Sequence, residues 1–406
     1  MATTAAAKPK VNSNAVFSIV SYVEDEDSKI GDFPSVSKEA REAAKFKEWL
    51  PTWDPATHQK YDHLKPFKHE DKGLLGDPEF KSLKSVEGST YKALSPRLGS
   101  EVDGIQLSQL NEQQKNDLAL LVEQRGVIIF RNQDLKYKSF DEIKDLVRYY
   151  GPLDVHGTFG APLGHPEFHL VFKKPSIHDS EEIFANSLNL IGFHTDVSYE
   201  PQTPGITFFG MLETGVGGDT QFLDSIEAYD RLSPLLKKKL EGLKAVHSSY
   251  NQDSNSTVYS NLRRKNPIES IHPVVRYHPV LKKKYLFISK GFTTRILGLK
   301  KEESDFLMNF LFDHQRSCLD AHVRLQWDEN SIAVWDNRRV LHSVTADWNT
   351  PDIRHAFRVT SMAERPVSTK EEYESWTPEQ ETAELLNQEE KLNSTPAAYY
   401  NRFVNN

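Results

Sequence analysis

Short apolar segments of strand length dominate the chain from residue 127 onward, and they restrict the folds that it can adopt. They are rich in β-branched and aromatic residues, and turns such as Gly215-Val-Gly-Gly218 separate them. The predicted strands are residues 127–130, 206–212, 219–223, 271–277, 285–289, 332–335, 340–344 and 355–361. Because helices are few among them, the pattern predicts a mainly β fold with flanking helices around a double-stranded β-helix (jelly-roll or cupin-like) core.

The helices are predicted from their end signals. Asn111-Glu-Gln-Gln114 has the form of a capping box, and Gly126 is a typical helix stop. Between them, Leu118, Leu121 and Val122 form an apolar stripe, so we expect a helix that ends immediately before the strand at 127–130. Further helices are predicted at 225–231, 233–240 and 301–312.

Three regions of the chain differ in composition. Residues 1–85 form an N-terminal extension that is partly disordered, with apolar anchors in Trp49-Leu-Pro-Thr-Trp-Asp-Pro55. We expect this extension to lie on the core, either as a homo-oligomer contact or as a cap on the barrel. Residues 86–367 form the double-stranded β-helix domain, and 368–406 an acidic helical tail. The polar stretches 173–190 and 248–270 are candidates either for mobile lids or for ordinary surface loops.

Composition excludes several function classes. The chain has 406 residues with 50 basic against 58 acidic side chains, a net charge of −8, which argues against nucleic-acid and anionic-membrane partners. A single cysteine, Cys318, rules out an internal disulfide framework and a cysteine metal cluster, and it suits a reducing compartment. No apolar run approaches the roughly 20 residues that cross a bilayer. We therefore expect a cytoplasmic protein.

His194-Thr195-Asp196, followed by His342, is the candidate metal site. Two imidazoles and one carboxylate are the ligand set of a non-haem Fe(II) centre, which leaves three coordination positions open. A strand through 192–199 would point His194 and Asp196 to one face and Thr195 to the other. The same ligand types also suit a zinc hydrolase, so these residues alone do not identify the metal.

Arg354 and Arg358 are four residues apart in a predicted strand, so their side chains share one face about 13 Å apart. Buried guanidinium groups require anionic partners, because an unpaired buried charge is very costly. Protein carboxylates or two bound anions would both meet this need. Beside a metal site, two bound anions are the simpler explanation. The planar guanidinium group of arginine can donate two hydrogen bonds to the oxygens of a carboxylate or a sulfonate.

These motifs, in their order along the chain, resemble the taurine/α-ketoglutarate dioxygenase family over residues 92–366. The resemblance rests on Pro152-Leu-Asp-Val-His156, Phe193-His-Thr-Asp-Val-Ser-Tyr199, Gly217-Gly-Asp-Thr220, Gly291-Phe-Thr-Thr-Arg295, Trp335-Asp-Asn-Arg338, His342, Arg354 and Arg358. The additional motifs Leu50-Pro-Thr-Trp-Asp-Pro55, His278-Pro-Val-Leu-Lys-Lys-Lys284 and Ala363-Glu-Arg-Pro366 are similar to the fungal-type sulfonate dioxygenase branch.

The resemblance implies Fe(II), α-ketoglutarate and O2 as cofactor and cosubstrates. It implies that the catalytic metal ligands are His194, Asp196 and His342, and that Arg354 and Thr220 bind the distal carboxylate of α-ketoglutarate. It also implies a substrate site formed by His156, Phe159, Phe292 and Arg358, in which Arg358 and His156 hold a sulfonate. Trp335-Asp-Asn-Arg338 is interpreted as a tight turn that supports His342.

The implied reaction hydroxylates the carbon next to the sulfonate of taurine-like alkylsulfonates. It releases sulfite and an aldehyde, with succinate and CO2, and the sulfite serves as a sulfur source. Phe159 stands where taurine-specific members carry a tyrosine, and Asn189-Leu-Ile-Gly-Phe193 stands where they carry a substrate-binding asparagine just before the first histidine. Loss of these two polar contacts would weaken selection for the amine of taurine. We therefore expect broader or different sulfonates. Alkyl sulfate esters or a carboxylate substrate are the alternatives, and a non-catalytic anion-binding jelly roll is a further one.

Overall fold

The computed structural model describes residues 27–53, 61–173, 192–253, 263–345, 347 and 352–383. The N-terminal half contributes β1 Lys29–Ile30, β2 Phe33–Pro34, β3 Thr90–Ala93, β4 Ser100–Asp103, β5 Val127–Phe130, β6 His169–Lys173, β7 Pro204–Glu213 and β8 Thr220–Asp224. The later strands are β9 Lys244–Ser248, β10 Glu269–Pro273, β11 Val275–His278, β12 Lys283–Leu286, β13 Thr293–Ile296, β14 His322–Leu325, β15 Ile332–Asp336, β16 Val340–Val344 and β17 Arg354–Met362.

The helices flank the sheets. They are α1 Lys38–Ala43, α2 Lys81–Lys84, α3 Glu112–Arg125, α4 Phe140–Arg148, α5 Ser225–Asp230, α6 Pro234–Leu240, α7 Lys301–Ser317 and α8 Lys370–Ser375. No helix in these described ranges is long and apolar enough to span a bilayer.

Two β-sheets face each other and form the jelly roll. The larger has seven strands in the order β3-β4-β5-β15-β7-β17-β6, and the smaller has the order β14-β8-β16. Apart from the parallel pair β4–β5, the strand pairs of both sheets are antiparallel. The predicted fold class is therefore confirmed.

One hydrophobic cluster fills the space between the two sheets. Phe209 of β7 and Trp335 of β15 come from the larger sheet, and they pack with Phe222 of β8 and Val340 of β16 from the smaller one. Trp335 and Phe222 have ring centroids 5.7 Å apart. Burial of apolar surface stabilises a fold by about 25 cal/mol per Å². Burial of these large side chains therefore stabilises the packing of the two sheets that carry the site.

The described part of the N-terminal extension packs on the β-helix domain. Trp49 is only 1% exposed, and its ring lies 4.7 Å from that of Phe357 in β17. The backbone carbonyl of Trp49 contacts Nε2 of His355 at 2.9 Å, and the Thr52 N–H donates to the Ala161 carbonyl at 2.8 Å. The predicted domain limits at 85 and 367 stay predictions.

Local signals predicted several elements well. The capping box at Asn111 is present, and α3 ends at Gly126, which has a φ of 76°. Six predicted strands, 127–130, 206–212, 219–223, 332–335, 340–344 and 355–361, match β5, β7, β8, β15, β16 and β17 to within two residues. The segment 271–277 instead forms two strands, β10 and β11, because pairing changes from β9 to β12 at Val274. The lid candidates fall mostly in 174–191 and 254–262, outside the described residues.

The predicted strand at 192–199 is wrong. Only His194 makes a β-bridge, with His342, and residues 196–199 form a turn. The reason is the backbone of Val197, whose φ of 34° lies in the left-handed region and ends any extended run.

Candidate active site

His194, Asp196 and His342 come together as the sequence predicted, although not on a regular strand. The His194 N–H donates to the His342 carbonyl at 3.1 Å, and the His342 N–H donates back at 2.8 Å. These two bonds fix both imidazoles on neighbouring backbones, with ring centroids 4.4 Å apart. One ligand atom from each of the three side chains lies within 4.8 Å of the other two.

The donor set fits a divalent transition metal. Nδ1 of His194 lies 3.0 Å from the Gly192 carbonyl, so Nδ1 carries the proton and Nε2 is free to coordinate. Burial lowers the pKa of His194, and it lowers the pKa of His342 to about 3, so both rings are neutral at physiological pH. Oδ2 of Asp196 is buried and has no hydrogen-bond partner among the described residues, as expected for a ligand atom.

Asp196 is ionised. Burial alone would raise its pKa, but Arg358, together with the neighbouring His342, His194 and His156, holds the pKa below its ordinary value. Nη1 of Arg358 donates to Asp196 Oδ1 at 2.6 Å. The site therefore offers two neutral nitrogens and one carboxylate, the set that suits Fe(II).

A second group of possible ligands, His69, Asp71 and Glu364, has a different role. Asp71 accepts from Arg338 at 2.6 Å, and Glu364 accepts from Arg276 at 2.7 Å. A cation placed there would face two buried guanidinium groups. This cluster is therefore a structural ion-pair network.

Arg354 and Thr220 lie close together at one end of the site. Nη2 of Arg354 donates to the carbonyl of Gly218, two residues before Thr220, at 3.3 Å. Burial lowers the pKa of Arg354 to about 10, so the side chain is charged at neutral pH. The Thr220 hydroxyl accepts from Nε1 of Trp327 at 3.1 Å, which leaves its own proton available to donate to a ligand.

Strand pairing places this end at a defined distance from the metal ligands. Across the pair β8–β16, His342 lies opposite Phe222 and Val344 lies opposite Thr220. Thr220 and Phe222 share one face of β8 and are about 7 Å apart along the strand. Thr220 therefore lies about 7 Å along β8 from the residue that pairs with the metal ligand His342.

Arg358 and His156 line a second region, on the other side of Asp196. They belong to a small pocket that is partly open to solvent and is lined by Asp154, His156, Glu167, His169, Asp196, Val197, Arg358 and Thr360. Burial and the nearby Arg358 lower the pKa of His156 to about 3. Its Nδ1 accepts the backbone N–H groups of Thr158 and Phe159, so Nε2 carries the proton and can donate to an anion.

The two aromatic candidates flank these groups. The Phe159 ring stacks on His169 with centroids 4.0 Å apart, and it meets the His156 ring edge-on at 4.8 Å. Phe292 lies 5.9 Å from the ring of His194 and 5.3 Å from that of Tyr199. Residues 189–191, which form most of the segment compared with the substrate-binding asparagine of taurine-specific members, lie outside the described residues.

Sequence reasoning missed two residues of the site. His169 accepts a hydrogen bond at Nδ1 from Nη2 of Arg358, and Trp327 orients the Thr220 hydroxyl. A histidine at the start of the otherwise apolar strand β6 was the available signal for His169. For Trp327 the sequence offered none, because its contact depends on the β14–β8 pairing.

A double-stranded β-helix that brings two histidines and one aspartate together in this way is the framework of a non-haem iron oxygenase. Residues 90–360 match the model of the family described as taurine catabolism dioxygenase TauD, TfdA family. The chain belongs to this family, and it is an Fe(II)- and α-ketoglutarate-dependent dioxygenase.

Individual relatives and a solved structure are named as dioxygenases of the same kind. The chain is 43% identical over 336 residues to an α-ketoglutarate-dependent sulfonate dioxygenase of Saccharomyces cerevisiae, which covers 82% of this chain and 81% of the relative. It is 38% identical over 328 residues to the α-ketoglutarate-dependent dioxygenase cnsM of Penicillium expansum, covering 79% and 90%. The crystal structure of a taurine dioxygenase from Burkholderia xenovorans superposes with a TM-score of 0.55 at 25% identity, covering 69% and 92%.

Proposed function

We propose that this dioxygenase hydroxylates the carbon next to the sulfonate of taurine-like alkylsulfonates, with His194, Asp196 and His342 as the iron ligands. The observation that carries the proposal is the pocket beside Asp196, where Arg358 and His156 converge. The 43% identical relative, which is named a sulfonate dioxygenase, supports the substrate class.

Different residues would bind the cosubstrate and the substrate. Arg354 and Thr220 would hold the distal carboxylate of α-ketoglutarate at one end. Arg358 and the Nε2–H of His156 would hold the sulfonate at the other, so that the adjacent C–H bond faces the metal. Phe159 and Phe292 would contact the carbon chain. When bound, iron with α-ketoglutarate would supply the oxidising chemistry: α-ketoglutarate would lose CO2 and take up one atom of O2 to become succinate, and the other atom would enter the substrate C–H bond as hydroxyl.

The product chemistry follows from the hydroxylated carbon. An α-hydroxysulfonate breaks its C–S bond: the electron pair leaves with sulfite, and the hydroxyl proton is released as the C=O bond of the aldehyde forms. The free sulfite would supply sulfur to the cell. The single cysteine suits a reducing compartment, so we propose the cytosol, which a fluorescent fusion of the full chain would test.

The proposal predicts which anion the full chain oxidises. Taurine, hexanesulfonate, hexyl sulfate and heptanoate are offered with Fe(II), α-ketoglutarate and oxygen, and succinate, sulfite and sulfate are measured. We expect kcat/KM for at least one sulfonate to be about tenfold or more above the values for the sulfate ester and the carboxylate. After subtraction of the succinate formed without substrate, one sulfite should form per succinate. His342→Ala, which removes a metal ligand, is the inactive control.

Two other outcomes would assign a different class of substrate. Hydroxylation of hexyl sulfate would release sulfate instead of sulfite, and preference for it would replace the sulfonate assignment by a sulfate-ester one. Succinate formation that only heptanoate stimulates would assign a carboxylate substrate.

A further inference from the structure

Asp196 needs support that the sheets do not provide. His194 and His342 are fixed by reciprocal backbone hydrogen bonds, whereas Asp196 stands at the start of a turn. The next residue, Val197, is buried and has a φ of 34°, a conformation that a β-branched side chain rarely adopts. Such strain costs about 1–3 kcal/mol and persists only where surrounding contacts enforce it.

Two of these contacts come from one side chain. Oδ1 of Asn337 accepts the Asp196 N–H at 3.1 Å, and its Nδ2 donates to the Asp196 carbonyl at 3.3 Å. The carboxamide thus holds both polar groups of the Asp196 backbone. The Trp335 indole N–H also donates to Oδ1, at 3.2 Å, which fixes the orientation of the amide.

Asn337 is itself rigidly placed. It is 1% exposed, and its N–H donates to the Gly205 carbonyl at 2.8 Å. Its neighbour Asp336 accepts from His278 at 2.7 Å and from Nε of Arg338 at 2.8 Å. These charged neighbours are buried. Arg338 also donates hydrogen bonds to Asp71 and Glu123, each at 2.6 Å.

We infer that Asn337 is a positioning residue: it holds the strained backbone of Asp196 and Val197 so that the Asp196 carboxylate reaches the metal. The turn at 337–339 therefore supports Asp196 through the Asn337 side chain, whereas the sequence had suggested support of His342 alone. Residues that orient a metal ligand typically contribute about 10-fold to 100-fold to metal affinity.

The test measures Mn(II) binding to the full-length apo protein without substrate, following free Mn(II) by electron paramagnetic resonance. We expect Asn337→Ala to weaken Mn(II) binding about 10-fold to 100-fold. Asn116→Ala is the matched control, because Asn116 is also buried and accepts from Tyr149 at 2.8 Å, but it belongs to α3 and does not contact the metal ligands. It should bind Mn(II) as the wild type does.

Two results would overturn the inference: wild-type affinity in Asn337→Ala, or an equal loss in Asn116→Ala. If Asn337→Ala does not fold, as judged by circular dichroism, Asn337→Ser decides by the same comparison, with a smaller but measurable loss expected. Because no sulfonate is present, the result does not depend on the proposed substrate.

Discussion

Arg354→Leu is expected to raise the α-ketoglutarate concentration for half-maximal activity by about 100-fold or more. Arg354 is buried and charged beside Thr220, so its replacement by an apolar side chain leaves a bound carboxylate without its counter-charge. Breaking a buried ion pair by removing one partner costs about 3–5 kcal/mol, which corresponds to a factor of about 100 to several thousand. Succinate formation against α-ketoglutarate concentration, at saturating Fe(II) and sulfonate, measures the effect.

Arg354→Lys is the matched variant. It keeps the positive charge but loses the planar fork, so an intermediate increase is expected. Mn(II) affinity without α-ketoglutarate should stay at the wild-type value in both variants, because the Arg354 guanidinium lies beside the Gly218 carbonyl and the Phe209 ring. An unchanged half-saturation concentration in Arg354→Leu would contradict the assignment.

Arg358→Leu is expected to lower kcat/KM for the preferred sulfonate by about 100-fold to 1,000-fold. Loss of one member of a buried, hydrogen-bonded charge pair costs about 2–5 kcal/mol, and here the lost partner would be the substrate sulfonate. The half-saturation concentration of α-ketoglutarate should change little, because Arg354 lies four residues away along β17.

The contact between Arg358 and Asp196 requires a control. Removing the guanidinium also removes the charge that lowers the pKa of Asp196, so metal binding could weaken as well. Kinetics are therefore measured at saturating Fe(II), with Arg358→Lys beside Arg358→Leu. Lys retains the charge near Asp196 but cannot donate bidentately, so it should preserve metal affinity and still lose sulfonate efficiency.

The outcomes separate the two roles of Arg358. Wild-type sulfonate efficiency in Arg358→Leu would show that this residue is not the anion clamp. If that wild-type efficiency is reached only at saturating Fe(II) and is lost at low Fe(II), Arg358 acts on Asp196 alone, in agreement with the protein-carboxylate alternative.

What the sequence predicted well depends on short-range signals. The ends of α3 follow from Asn111 and Gly126, residues whose capping roles act within one turn. The alternation of strand side chains correctly placed Arg354 and Arg358 on one strand, where both side chains point toward the site. The metal triad was found because its residue types carry the chemistry irrespective of local structure.

What the sequence did not predict depends on contacts between distant segments. The alternation rule suggested a strand at 192–199, but tertiary contacts from Asn337, 141 residues away, accompany the turn at Val197. The contact of His169 with Arg358 spans 189 residues and requires the β6–β17 register. Periodicity contains no information about such pairs.

Binding of Fe(II) by His194, Asp196 and His342, with α-ketoglutarate bound beside it, is tested most directly by an anaerobic titration. The full-length protein is titrated with Fe(II) and then α-ketoglutarate while the visible charge-transfer band is recorded, and candidate sulfonates are added last. We predict that the band forms, that a preferred sulfonate shifts it, and that Asp196→Ala abolishes it. Absence of any band in the wild-type protein at saturating Fe(II) and α-ketoglutarate would contradict the account.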